Sequence, residues 1–195
     1  AASDVYKRQN PWHGCHKISE GCQNCYVYRT DSRYGKDSGK VEKTSNFDMP
    51  LNRDRSGEWK LQNDGFAVAT CLTSDFFIDE ADQWRSDIWQ IIKRRRDLDF
   101  FIITKRIHRF YEGLPEDWGN GYDNVIIGCT CECQRTADFR LPIFLEVPIK
   151  HKVIICAPLI EEINLSEYLN ERIEQVSAGG ESVSYTHLRA HETCA

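Results

Sequence analysis

No run of apolar residues in this chain approaches the roughly 18 needed to cross a bilayer as a helix, which excludes that kind of membrane protein. No basic-then-apolar leader opens it, so the expected location is the cytoplasm. Positive charge is in short supply as well: 25 Lys and Arg stand against 30 Asp and Glu, a net charge of −5. That balance argues against a surface built for sequence-independent phosphate binding. The one dense basic run, Lys93 to Arg96, has the composition of a solvated helix end whose cations complement the dipole. What the chain does have is apolar and aromatic mass: 41% hydrophobic residues with five Trp and nine Phe, enough to bury the core of one globular domain. It also has nine cysteines, and without secretory features these point to reduced thiols that bind metal rather than pair.

Both ends read as foreign. Ala1–Gln9 and Val183–Thr193 are, codon by codon, translations of two transposase library adapters. On this reading the native part is 10–182, a metagenomic fragment cut at both ends, and 1–9 and 183–195 are disordered. The end segments contain Asp4, Lys7, Arg8, Arg189 and Glu192, which sum to +1 and leave −6 on the native part.

Downstream of a polar stretch from Asp31 to Trp59, with Val41–Met49 as a candidate strand, apolar runs and helical spacing alternate. Phe66–Leu72, Phe100–Ile103, Val125–Cys129, Val153–Cys156 and Gln175–Ala178 are nearly continuous in apolar residues, the pattern of strands buried on both faces. Between them Ala81–Arg95, Arg106–Glu112, Thr136–Leu145 and Ser166–Glu174 carry helical spacing, the last with Ser166 as N-cap. Repeated βα units predict an α/β fold with a parallel sheet. The length suits a partial parallel (β/α) barrel truncated at its C-terminal end, with a doubly wound open sheet as the alternative. Polar triplets follow the strands: Thr73-Ser74-Asp75, Thr104-Lys105-Arg106, Thr130-Cys131-Glu132 and Gly179-Gly180-Glu181. In parallel barrels ligands sit at those strand ends, so together they suggest one polar rim.

The strongest chemical signal is Cys15, Cys22 and Cys25 in a loop with Gly14 and Gly21. Two residues separate the second and third cysteines, a spacing that can fold both thiols onto one inorganic centre, and thiolates are the ligands of zinc and iron–sulfur sites. A closed structural zinc site needs a fourth ligand, for which His13 or His16 is the local candidate; a 4Fe-4S cluster held by three cysteines keeps one iron open. Spacing alone leaves the two level. Cys129, Cys131 and Cys133 alternate along a strand end and could form a second site, but read more simply as small buried residues, as do Cys71 and Cys156.

The segment Asn10 to Tyr26 resembles a phage and bacterial three-cysteine-motif family of unknown function, and so do Thr73 to Phe77, Ile103 to Arg106, Gly128 to Thr130 with Glu132 and Gln134, Ala157 to Leu159 and Gly179 to Ser182. That family is similar to radical S-adenosylmethionine enzymes in its partial barrel and cysteine loop. The resemblance implies a fold of the radical SAM type, a 4Fe-4S cluster on Cys15, Cys22 and Cys25, and S-adenosylmethionine as cofactor. It also implies an enzyme that cleaves that cofactor reductively to a 5′-deoxyadenosyl radical. Tyr26, Asp75, Lys105, Arg106, Glu132, Gly179, Gly180 and Glu181 are the candidate cofactor-binding residues. The common radical motif has three residues between its first two cysteines where this chain has six, and its Gly-Gly-Glu segment follows an early strand where this one follows a late strand. The implied partners are an electron donor and an unknown substrate, with nucleic acid or a modified base among the candidates. The competing reading is a zinc-stabilised module that handles nucleic acid through Lys93 to Arg96, Lys105, Arg106 and Arg109 without catalysis.

Overall fold

The computed structural model describes residues 7–180. Its main feature is a six-stranded, wholly parallel sheet in the order β1 (Lys7–Gln9), β4 (Val68–Thr70), β5 (Phe100–Thr104), β6 (Val125–Thr130), β7 (His151–Cys156) and β8 (Ile173–Ala178). A separate antiparallel pair joins β2 (Trp12–His13) to β3 (Glu42–Lys43). Three α-helices complete the described fold: α1 (Tyr26–Arg33), α2 (Asp82–Arg94) and α3 (Gln134–Glu146). The chain is thus a mixed α/β protein, and successive sheet strands are neighbours in space with no reversal of order.

The strands form where apolar residues run together, because both faces are covered. In β5 the alternation buries Phe100, Ile102 and Thr104 and leaves Phe101 and Ile103 half-buried on the other face. In β6 the Gly128 position admits no side chain: a Cβ there would lie 2.9 Å from Cγ1 of Ile155 and 3.3 Å from the Phe101 ring. The helix expected over Ala81–Arg95 is α2, which buries Ile88, Trp89, Ile91 and Ile92. Trp89 stacks edge-on against Phe76 and Trp118, both at 4.9 Å, so aromatic packing fixes this layer.

Four expectations change. Ser166–Glu174 is not a helix. The Asn164 side chain accepts from both the backbone and hydroxyl of Ser166, Asn170 does the same for the backbone of Arg172, and such Asx turns compete with helical hydrogen bonding. Arg106–Glu112 shrinks to a 3₁₀ turn at Ile107–Arg109, because Gly113 reverses the chain at φ +69° and buried Arg85 takes the Glu112 carbonyl. Val41–Met49 forms only the short β3. Lys7–Gln9, expected outside the fold, is the first edge strand, with Gln9 buried. A parallel ladder is made by backbone groups, so almost any three-residue segment can occupy such an edge.

Among the described residues no helix is long and apolar enough to cross a membrane.

Candidate functional site

The cysteine loop is held at the C-terminal ends of the strands by backbone contacts on both sides. Gly14 donates to the Thr73 carbonyl (3.2 Å) and Cys15 to the Ser38 carbonyl (2.8 Å), while the Ser74 hydroxyl caps the Gly14 carbonyl and Tyr28 that of Cys15. Gly14 sits at φ +95°, and a Cβ there would lie 2.1 Å from the Lys40 carbonyl oxygen, so only glycine fits. The buried Trp12 indole donates to the Asp75 carbonyl (3.1 Å), pinning the loop's first strand to the segment after β4.

Cys15, Cys22 and Cys25, all half-buried, line one cavity of about 310 Å³. Its walls also include Tyr26, Asp75, Lys105, Arg106 and Gly180, so five further candidates from the sequence meet the three thiols in one place. Tyr26 donates its hydroxyl to the Leu72 carbonyl (2.6 Å). Gly179 continues the sheet by donating to the Cys156 carbonyl (3.0 Å). Glu181 lies outside the described residues.

Two cations from the end of β5 face the sulfurs. Lys105 Nζ is 3.7 Å from Cys22 Sγ, and Arg106 Nη1 is 3.7 Å from Cys15 Sγ. Burial pushes the Cys22 thiol up, but the Lys105 charge and hydrogen bonds from Ile18 and Ser19 outweigh it and leave the pKa below the ordinary thiol value. Cys15 goes the other way, to about 11, because burial outweighs the Arg106 charge and Asp75 adds repulsion. Asp75 holds Arg106 in place: its carboxylate lies 3.3 Å from Arg106 Nη1 and accepts from Phe77 N, Thr104 Oγ1 and Lys105 N.

Glu132 is placed differently from the other candidates. It is fully buried and is not part of the cavity wall; it stands behind Lys105, 2.5 Å from its Nζ and 2.6 Å from Arg140 Nη1, and accepts from the Ser19 hydroxyl. Gly21 packs so closely that an added Cβ would meet Glu132 Cγ at 2.4 Å. A single carboxylate therefore joins the cysteine loop, β5 and α3. Burial pushes its pKa up, but the charges of Lys105 and Arg140 overcome this and hold it below the ordinary glutamate value. Arg140 was missed by the sequence reading, since nothing in a helical arginine marks it as the partner of an acid eight residues earlier.

The histidines are engaged elsewhere. His13 Nε2 meets the buried Asp31 carboxylate at 2.8 Å, and His16 pairs with Glu80. Among the described residues, no three His, Cys, Asp or Glu side chains converge on a point where a single metal ion would sit. Cys129 and Cys131 are core residues, and Cys133 caps α3 through Thr136. Cys71, read from sequence as a plain core residue, also lines the thiol cavity; it takes the left-handed conformation, φ +66°, just beyond β4. A non-glycine residue held there costs on the order of 1 kcal/mol and is a feature that clusters at functional sites.

Residues 5–192 match a family whose description reads "Protein of unknown function (DUF5131)". No curated protein matches the chain, and no solved structure does.

Proposed function

The chain belongs to the DUF5131 family, whose description names no activity, and from the geometry of its own residues we propose that it is a radical S-adenosylmethionine-like iron–sulfur enzyme. The observation that carries the reading is the meeting of three thiols from one loop in a single cavity at the strand ends, with a cation 3.7 Å from two of the sulfurs. Thiolates bring negative charge into a half-buried space, and Lys105 and Arg106 are the compensation such a centre requires. The donor chemistry also separates the two candidate metals. A closed zinc site needs four ligands converging about 2.3 Å from one ion, and among the described residues no three His, Cys, Asp or Glu side chains converge in that way. A cubane spreads its ligands over different irons, so its three thiols surround a cluster instead of converging on one ion.

Cys15, Cys22 and Cys25 would hold a 4Fe-4S cluster with one iron open. Such a cluster would supply reductive cleavage of S-adenosylmethionine, with one electron from an external donor and with methionine and a hydrogen-abstracting 5′-deoxyadenosyl radical as the products. The protein's own part is positioning. Cys22, its pKa already lowered, is the first thiol available as thiolate; Cys15, held protonated by burial, would lose its proton only on ligation, beside Arg106. Tyr26 and Gly180 line the remaining space, where a small ligand's polar groups would meet Lys105 and Asp75. Glu132 acts one step back, by fixing Lys105 and the loop.

We read the parallel sheet as the larger part of a barrel. Strand order runs one way across it, whereas a doubly wound sheet reverses at a switch point. The motif blocks resemble the three-cysteine-motif family, whose own likeness to radical S-adenosylmethionine enzymes in partial barrel and cysteine loop favours the same reading.

Anaerobic reconstitution with iron and sulfide tests the proposal. The expected result is about four irons per chain with broad visible absorbance, loss of both in Cys22→Ala, and 5′-deoxyadenosine on reduction with the cofactor present. One tightly held zinc, or iron content unchanged by Cys22→Ala, refutes it and favours the structural module.

A further inference from the structure

A second cavity, of about 500 Å³, opens beside the first, and Lys105 and Arg106 border both. The chain as a whole is acidic, but this cavity is not: Lys105, Arg106, Arg109, Arg135 and Arg140 line it, against the carboxylates of Asp79 and Glu80. The carboxylates that pair with these cations occupy only part of their donor capacity. A guanidinium presents five N–H groups. The described contacts of Arg135 use Nη2, toward Glu20, and those of Arg140 use Nη1, toward Thr130 and Glu132. The same cavity carries the exposed ring of Phe139, on α3, with the His108 ring 6.0 Å from it. A phenylalanine 57% exposed on a helix whose other large apolar side chains are buried or half-buried leaves an apolar face open to a ligand. Burial, together with Arg106 and Arg109, keeps His108 below its ordinary pKa, so the ring is uncharged near neutrality and suited to stacking.

We propose that this second cavity binds a phosphorylated nucleoside, with its base against Phe139 and His108 and its phosphate on Arg135 and Arg140. Rings recognise a planar base without regard to sequence, and a forked cation is the complement of a phosphate. The shared wall would place such a ligand next to the thiol cavity, which makes it the candidate substrate. That role rests on the radical chemistry proposed above; the binding itself does not. The same chemistry is offered by a free nucleotide and by one residue of a single strand.

Calorimetric titration of the metal-free chain with 2′-deoxyadenosine 5′-monophosphate separates these points. The nucleotide binds at least about tenfold more tightly than inorganic phosphate or deoxyadenosine. Phe139→Ala weakens it about tenfold while leaving phosphate binding unchanged, and Arg135→Ala weakens both nucleotide and phosphate. Phe139 and Arg135 are exposed, so neither variant threatens the fold. Nucleotide binding no tighter than phosphate, or insensitive to Phe139→Ala, overturns the assignment. A ten-residue single strand that binds much more tightly than the mononucleotide, with a steep salt dependence, identifies the polymer as the source; equal affinities identify the free nucleotide. Cys22→Ala separates the two proposals, since it abolishes iron loading and leaves this titration unchanged.

Discussion

Replacing Glu132 by glutamine tests whether one buried carboxylate organises the site. The side chain keeps its shape and loses its charge, leaving Lys105 and Arg140, with side chains 18% and 4% exposed, close together and without their shared counter-ion. Removing one partner of a buried ion pair costs about 3–5 kcal/mol. Glutamine can still accept a hydrogen bond from one of the two, so a loss of about 3 kcal/mol is expected. For a domain of this size that lowers Tm by roughly 6–12 °C. Urea unfolding of both proteins measures it, with the change in the midpoint and not in the slope. Adding Lys105→Met should recover part of the loss, because one of the two stranded charges is then gone; a coupling above about 1 kcal/mol is expected for groups in direct contact. If Glu132→Gln costs less than about 1 kcal/mol, or the second change adds to the first without coupling, the network is not the anchor described here.

Three other outcomes follow from the same geometry. Gly21→Ala forces a methyl against a Glu132 side chain that its ion pairs prevent from yielding, so it should destabilise by about 1–3 kcal/mol and speed alkylation of Cys22 as the loop lifts; normal stability and unchanged alkylation would contradict the close approach. In the metal-free protein at pH 7.5, thiol reagents should modify Cys22 well before Cys15, with Cys129, Cys131 and Cys156 reacting only on unfolding, as peptide mapping after timed quenching can show. Lys152 is buried, its ammonium donating to the Leu145 carbonyl, and burial with repulsion from Arg172 lowers its pKa to about 8. Its charged form is disfavoured in the fold, so the unfolded chain binds the proton more readily and stability from this group rises as pH climbs from about 8 toward the ordinary lysine value of 10.5. The gain is on the order of 3 kcal/mol, read as the difference between wild type and Lys152→Met; a pH-independent difference refutes it.

The sheet was legible because strands covered on both faces must be apolar throughout, and α2 because its apolar residues recur at helical spacing over four turns. The error at Ser166–Glu174 has a local cause: Asn164 and Asn170 offer side-chain hydrogen bonds that divert the backbone, and helical spacing over nine residues is too short to outweigh them. The thiols were visible as a motif. Their cations were visible only as members of strand-end triplets, because which of Asp75, Lys105, Arg106 and Glu132 faces the cavity depends on the turn each strand makes after its last hydrogen bond. Glu132 looked like a rim carboxylate, and the presence of Arg140 one helix away converts it into a buried strut. Charge balance over the whole chain hid the second cavity, where cations gathered from β5, the following turn and α3 outnumber acids locally.

The one-way strand order bears on how the molecule assembles. From β4 onward each strand docks on the one synthesised just before it, so the sheet can grow in the direction of translation with modest loop closures. The cysteine loop is held by more distant contacts, from Trp12 and Gly14 to Thr73, Ser74 and Asp75 in the segment after β4. Until that segment leaves the ribosome, the three thiols lie on a stretch of chain that those contacts have yet to seat; afterwards they face a half-closed chamber.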